Sequence, residues 1–350
     1  MTVASAPFPA PFTPFEVRWD APQLTDAEIA TTPTAFEWWY FDVSTTTGVE
    51  LVVIMSRVNA WFASGKCTMN VQYKDGRHDV HKLRNYSRSD FRWTQHDGRG
   101  EMCVGPNTLQ VIGATPESMH YEMTLKLSWI SGTLTFTPRH LGFLPTPDGT
   151  YFRSRTNPSS RTCVSFSAPV MQCTGTLVIG GETIQVDGHG YHDHPWGTAN
   201  LFQTNAEWHW ARASSGGNEV MFATVSPFPE FEGALRFLWA AAGGVFEPTI
   251  SSDVQVDAED WKRNGSRSIS YPHNVAVASG TRRWVARCRQ SLLDFPFYNR
   301  SSVSWQEDGM PGAGSGWLEY WKLSARKQRL TFIAAKVSAF FQREFPYFGK

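Results

Sequence analysis

The sequence predicts an all-β chain built as two barrel or sandwich units. Three observations carry this. Short runs rich in β-branched and aromatic residues recur between turn signals from residue 36 to residue 305. Helical periodicity is nearly absent before residue 324. A length of 350 residues suits two such units better than one.

Residues 1–35 are rich in Pro, Thr and Ala and are expected to form an extended arm with little structure of its own. Two strands then flank Thr45-Thr46-Thr47-Gly48, over Phe36 to Val43 and Val49 to Ser56, and read as a hairpin. Further strands fit 67–74, 79–85, 108–114, 119–129 and 132–137, separated by turns such as Lys74-Asp75-Gly76 and Ser131-Gly132. Residues 138–161 concentrate Pro, Gly, Ser and Arg and read as a long loop. Strands resume over 162–187, with Gly180-Gly181 as a turn.

Strands over 207–213 and 220–225 flank a turn from Ser214 to Asn218. Others fit 234–241, 244–250, 252–257, 268–278, 282–289 and 300–305. From Ser324, the apolar residues Leu330, Ile333, Val337, Phe340, Phe341 and Phe345 recur at helical steps up to Pro346. This amphipathic C-terminal helix is expected to pack on the second unit. Its basic residues Arg326, Lys327, Arg329, Lys336 and Arg343 also suit peripheral membrane contact. The expected division is an arm over 1–35, a first unit over 36–198 and a second over 199–350.

Basic and acidic residues balance at 32 each, and no run of five like charges occurs, which argues against nucleic acid as a partner. Aromatics reach 14%, with 15 Trp, a content that suits the lining of an apolar cavity for a small molecule. No apolar stretch is long enough for a transmembrane helix. Cys67, Cys103, Cys163, Cys173 and Cys288 lack CxxC spacing, which favours reduced thiols and a cytoplasmic setting. Sequons at Asn85, Asn264 and Asn299 keep secretion as the alternative, should a leader have been removed.

The chemistry concentrates in Gly188-His189-Gly190-Tyr191-His192-Asp193-His194-Pro195-Trp196-Gly197. On a strand, alternation places Tyr191 and Asp193 on one face and His192, His194 and Trp196 on the other. A carboxyl among aromatics loses hydration and gains affinity for its proton, so Asp193 is a candidate acid and Tyr191 its relay. The plainer alternative is an Asp that caps a turn beside Gly197. His189, His192 and His194 invite a metal, but His192 and His194 share a face that Asp193 does not. Imidazoles that fix the loop are the stronger expectation, with no metal.

Glu37-Trp38-Trp39-Tyr40, Glu207-Trp208-His209-Trp210 and Gly316-Trp317-Leu318-Glu319-Tyr320 repeat an acid–aromatic theme. Each reads either as core packing around a tied carboxylate or as indoles lining a pocket and stabilising positive charge. Glu319 is expected to close a barrel through backbone bonds. The sequence holds no GxSxG elbow and no GxxxxGK[ST] loop.

Taken in order, Phe36 to Asp42, Gly188 to Gly197, Trp208-His209-Trp210 and Gly316 to Tyr320 resemble the carotenoid 1,2-hydratase (hydroxyneurosporene synthase) family. Kievitone hydratase and the fungal lipocalin-like Diels–Alderases look like relatives. The resemblance implies two lipocalin-like antiparallel β-barrel domains, no cofactor, and an apolar substrate held near the domain interface. It also implies that Asp193 protonates a double bond with help from Tyr191. Those enzymes carry a His-x-Trp pair upstream. The comparable region here, Cys163 to Pro169, has neither residue, which points away from carotenoid hydration itself and toward another terpenoid or polyketide.

The expected catalytic set is therefore Asp193, Tyr191, His192 and His194. Trp38, Trp39, Tyr40, Trp196, Trp208, Trp210 and Phe166 are expected to bind substrate, with Glu37, His209 and Glu319 in support. Hydration, dehydration and cyclisation share one proton transfer. A pericyclase that folds the substrate in its cavity, and a lipocalin-like carrier that leaves its ligand unchanged, are the alternatives.

Overall fold

The computed structural model describes residues 11–58, 66–96, 99–215, 217–242, 248–263, 269–295, 297–308 and 314–323. The helix expected from Ser324 lies outside these residues. Strands account for 69% and helices for 6%, in two curled antiparallel sheets, so the all-β, lipocalin-like expectation holds. Among the described residues no helix is long and apolar enough to cross a membrane.

The chain divides into two compact units. The first comprises Thr13–Thr150 and Ser159–Asn200, and the second is built mainly from Leu201 onward, with Tyr151–Pro158 added. In the first, the long strands are β1 (Phe36–Thr45), β2 (Glu50–Val58), β3 (Cys67–Lys74), β4 (Asp79–Tyr86), β5 (Phe91–His96) and β6 (Arg99–Val104). They continue with β7 (Asn107–Ile112), β8 (His120–Leu127), β9 (Ile130–Pro138), β10 (Arg161–Ile179) and β11 (Glu182–Gly197). The sheet runs β4-β3-β2-β1-β11-β10-β9-β8-β7-β6-β5. Alternate residues of these strands fill its concave side, with Trp39, Phe41, Met69, Tyr121, Met123 and Phe136 fully buried there.

The segment read as an extended arm is more structured than its composition suggests. Val17–Asp20 forms a 3-10 turn and Asp26–Thr31 the helix α1, whose start carries a capping box between Thr25 and Glu28. Tertiary contacts hold it. Phe15 joins the core at 2% exposure, and the Trp39 indole donates to the Asp20 carbonyl at 2.9 Å. Neither contact leaves a local signal in the sequence.

In the second unit the strands are β12 (Asn205–Ser215), β13 (Asn218–Pro227), β14 (Leu235–Ala241), β15 (Thr249–Ser251), β16 (Gln255–Arg263), β17 (Ser270–Ser279), β18 (Arg282–Phe295), β19 (Tyr298–Glu307) and β20 (Gly314–Lys322). They run β15-β14-β13-β12-β20-β19-β18-β17-β16 around a core that includes Phe222, Trp284 and Trp305. The stretch expected to be a long loop, 138–161, carries the short strands Phe143–Leu144 and Thr150–Ser154. The sequon residue Asn299 is 2% exposed and its amide donates to Ser291 and the Leu293 carbonyl, so it is built into the fold.

Candidate functional site

The central strands of the first unit, β1 and β11, pair antiparallel with Asp42 across from Tyr191 and Tyr40 across from Asp193. These four side chains share one sheet face, opposite the packed interior. The Tyr191 hydroxyl donates to Asp193 Oδ2 at 2.7 Å, and the Tyr40 hydroxyl to Asp42 Oδ2 at 3.2 Å. The two phenol rings meet edge to face at 5.9 Å. Tyr191 is 1% exposed and Asp42 0%, whereas Asp193 keeps partial exposure. Burial, then the charges of Asp193 and Asp42, push the Tyr191 phenol far above its ordinary range, so it stays a hydrogen donor at physiological pH. Trp38 lies on the same face and packs on Phe36, with ring centroids 4.9 Å apart.

His192 and His194 project to the other face, into the interior of the first unit. His192 stacks on Phe41 at 4.0 Å. Its Nδ1 lies 2.9 Å from the Tyr40 carbonyl and its Nε2 3.2 Å from Asp20 Oδ1. Asp20 also accepts from the Tyr121 hydroxyl at 2.5 Å and the Ser167 hydroxyl at 2.7 Å. Burial raises the Asp20 pKa, but His192 and the three hydrogen bonds outweigh it and hold the carboxyl below its ordinary range. Ser167 reaches Asp20 because β10 carries extra residues between Ser165 and Ala168 and between Ala168 and Met171, next to Pro169, which has no N–H for the ladder.

His194 stacks on Trp39 at 4.3 Å, with Nδ1 2.6 Å from the Trp19 carbonyl and Nε2 3.4 Å from Glu37. Glu37 is fully buried, accepts from the backbone N–H of Gln23 and Leu24, and pairs with Arg57 at 3.1 Å. Trp196 stacks on Trp19 at 6.1 Å within a cluster that holds Leu24, Ile29 and Cys163. The geometry thus corrects four site expectations. His192 and His194, expected in the catalytic set, lie on the face away from Asp193 that strand alternation gave them and tie the N-terminal segment to β11, while Trp39 and Trp196, expected to bind substrate, are packed in apolar clusters. Glu37 is the supporting, tied carboxylate that one reading allowed.

Phe166 is 3% exposed and stacks on Phe143 at 4.8 Å. In the second unit, Trp208 and Trp210 lie on one face of β12, with Trp208 stacked on Trp321 at 4.5 Å and Trp210 across from Glu319. Glu319 accepts from the Arg300 guanidinium at 2.6 and 2.9 Å, and Arg300 also donates to the Tyr298 hydroxyl at 3.0 Å. Its closing bond is therefore to a side chain and not to the backbone. Glu207 and His209 share the other face, where Tyr320 donates to Glu207 at 2.8 Å. Burial pushes the His209 imidazole down to about 4, so it is neutral.

Two clefts on the first unit, one beside Arg18 and Gln95 and one beside Arg57 and Arg88, do not include Tyr191 or Asp193. Among the described residues no three His, Cys, Asp or Glu side chains converge as a metal site would require.

Comparison with known families matches the carotenoid hydratase CrtC domain to residues 63–332. The chain belongs to the carotenoid hydratase CrtC family. Solved structures with the same fold include a candidate AttH from Nitrosomonas europaea, at TM-score 0.61 and 19% identity over 91% of this chain and 99% of that one. CghA, solved with Sch210972, aligns at TM-score 0.58 and 14% identity over 83% of this chain and 89% of that one. Kievitone hydratase from Nectria haematococca aligns at TM-score 0.52 and 15% identity over 91% and 99%. A comparison with curated protein sequences gives no match.

Within this CrtC-family fold, sequence reading missed Asp20, Asp42, Arg57, Tyr121 and Ser167. Asp42 carried a usable signal, because Tyr40-x-Asp42 has the same spacing as Tyr191-x-Asp193. Asp20 carried none, since its partner His192 lies 172 residues away.

Proposed function

We propose that the chain is an enzyme of natural-product biosynthesis in which Asp193 donates a proton to an apolar, unsaturated terpenoid or polyketide. The observation that carries this reading is the Tyr191-to-Asp193 hydrogen bond at 2.7 Å, on the one carboxyl of the four-residue set that keeps exposed surface. Family membership makes alkene protonation the first chemistry to consider.

The roles follow from charge. Protonated Asp193 gives its hydrogen to one alkene carbon, whose π pair forms the new C–H bond. The neighbouring carbon becomes cationic and Asp193 becomes a carboxylate. The Tyr191 hydrogen bond strengthens as that negative charge develops, so it favours the transition state over the ground state. Water that adds to the cation returns its proton to Asp193. Return of an adjacent C–H proton to the Asp193 carboxylate gives isomerisation; attack by a second alkene closes a ring and moves the charge to a new cation, which is quenched by the same proton return or by water. Dehydration runs the hydration steps in reverse.

A pericyclase is the second reading. The stretch Cys163 to Pro169, comparable to the region where a hydratase of this family carries its His-x-Trp pair, holds neither residue, and its Val164 and Phe166 are buried, an apolar character suited to folding a polyene. Asp193→Asn separates the two readings when product formation from host-metabolite extract is followed by mass spectrometry. Acid catalysis requires a loss of turnover of about 10²-fold or more. A variant that keeps most of its turnover supports the pericyclase, and ligand retention with no product from either protein supports a carrier.

A further inference from the structure

Asp42 lies on the same face as the acid site and has no exposed surface. The register of β1 and β11 sets Tyr40-x-Asp42 and Tyr191-x-Asp193 antiparallel, so each aspartate faces the tyrosine of the other strand. Each phenol donates to the carboxyl two residues further along its own strand, at 3.2 and 2.7 Å. Directly opposed side chains in such a pair stand about 5 Å apart at Cβ and diagonal ones about 7 Å. Asp42 and Asp193 are diagonal neighbours, close enough for one charge to disfavour the other.

We propose that Asp42 is a positioning residue of the acid site, whose carboxyl titrates with that of Asp193 as a coupled pair, so that the pair retains one proton where an isolated carboxyl would lose it. This rests on the acid reading above. Burial works in the same direction, because Asp42 is withdrawn from water while Asp193 keeps some. The Tyr191 phenol feels both charges. The groups that face Asp42 are Tyr40 on its own strand, and Tyr191, Asp193 and, by strand alternation, His189 on β11. From β2 they are Val52 directly opposite and Glu50 one step along the same face. The Cys173 thiol on β10 also feels the Asp42 charge. Glu50 adds a like charge to the pair, and His189, when protonated, would oppose it.

The test needs no substrate. Full-length protein labelled with ¹³C-aspartate is titrated by NMR of the carboxyl carbons, with Asp42→Asn and Asp193→Asn used to assign the two signals. In the wild type, the pair is expected to titrate in two separated steps, the upper one above the ordinary carboxylate range. In Asp42→Asn, the remaining Asp193 midpoint should fall by about one pH unit or more. In Asp193→Asn, the Asp42 signal should lose whatever part of its titration falls in the upper step and titrate in a single step, because the upper step belongs to the pair. This second variant reads the same coupling should the first fail to fold. Asp42→Glu, which keeps the charge but changes the size, should retain the upper step, whereas a merely structural Asp42 would tolerate Asn better than Glu. Midpoints that do not move in either Asn variant overturn the inference. The acid reading fails separately, through turnover that survives Asp193→Asn. In that case the coupling can still be seen by NMR.

Discussion

Tyr191 donates to Asp193 Oδ2 at 2.7 Å across one residue of the same strand, while its own ring is 1% exposed. A buried donor fixed on one oxygen needs no reorganisation when the carboxyl loses its proton. Tyr191→Phe keeps the ring and removes that donor. It should lower kcat about 10²-fold with KM little changed, the signature of an interaction that matters in the transition state. Steady-state kinetics on the identified substrate checks this. An equal loss confined to KM would assign the hydroxyl to substrate binding instead.

The His192–Asp20 contact ties the N-terminal segment to the first unit. His192→Phe leaves Asp20 buried with only its hydroxyl donors, and should cost about 3–5 kcal/mol in urea unfolding. Ser167→Ala removes one of those donors and should cost about 1–2 kcal/mol. The Asp20 carboxyl is held below its ordinary range in the folded state. Its contribution is therefore complete above that range and disappears as pH falls through the lowered folded value. Limited proteolysis within residues 13–35 should accelerate in both variants before global unfolding.

His209 gives the second unit an acid sensitivity of the same sign, set at higher pH. Its folded pKa is about 4, against an ordinary 6.5. Between those values the unfolded chain binds a proton that the folded chain does not, so stability falls as pH drops from 6.5 to 4. The gap corresponds to about 3 kcal/mol. His209→Gln should flatten that part of the stability profile, as measured by denaturant unfolding at a series of pH values.

The Arg300–Glu319 pair is nearly sealed, at 6% and 14% side-chain exposure. Arg300→Met strands the Glu319 carboxylate and should cost about 3–5 kcal/mol. Arg300→Met combined with Glu319→Leu should recover most of that loss, because both charges leave together. A double variant no more stable than the single would contradict the argument.

Much of this was legible in the sequence, for reasons that differ by residue. Strand alternation alone separated Tyr191 and Asp193 from His192 and His194, because a period of two needs no knowledge of the partner strand. The all-β class followed from turn signals repeated along the chain. What could not be read was register. Asp42 becomes a neighbour of Tyr191 only when β1 pairs with β11, and nothing local fixes that pairing. Tertiary packing hid Asp20 in a segment whose composition reads as an arm. Glu37 could be read as a tied carboxylate, but not what ties it, because its partner Arg57 lies 20 residues away on another strand. Trp39 and Trp196 misled, since an indole in a packed cluster and an indole in a cavity share one local sequence.

The most direct test of proton donation by Asp193 is mass spectrometry of products formed in deuterated, ¹⁸O-labelled water by the wild type and by Asp193→Asn. Proton donation to carbon gives a product with deuterium bound to carbon from the wild type, lost in the variant, whereas dehydration gives an unlabelled product that the variant fails to form. Added ¹⁸O would identify the reaction as hydration, and its absence would identify it as cyclisation or isomerisation. A new product with no carbon-bound deuterium and no ¹⁸O, formed equally by both proteins, would contradict the account.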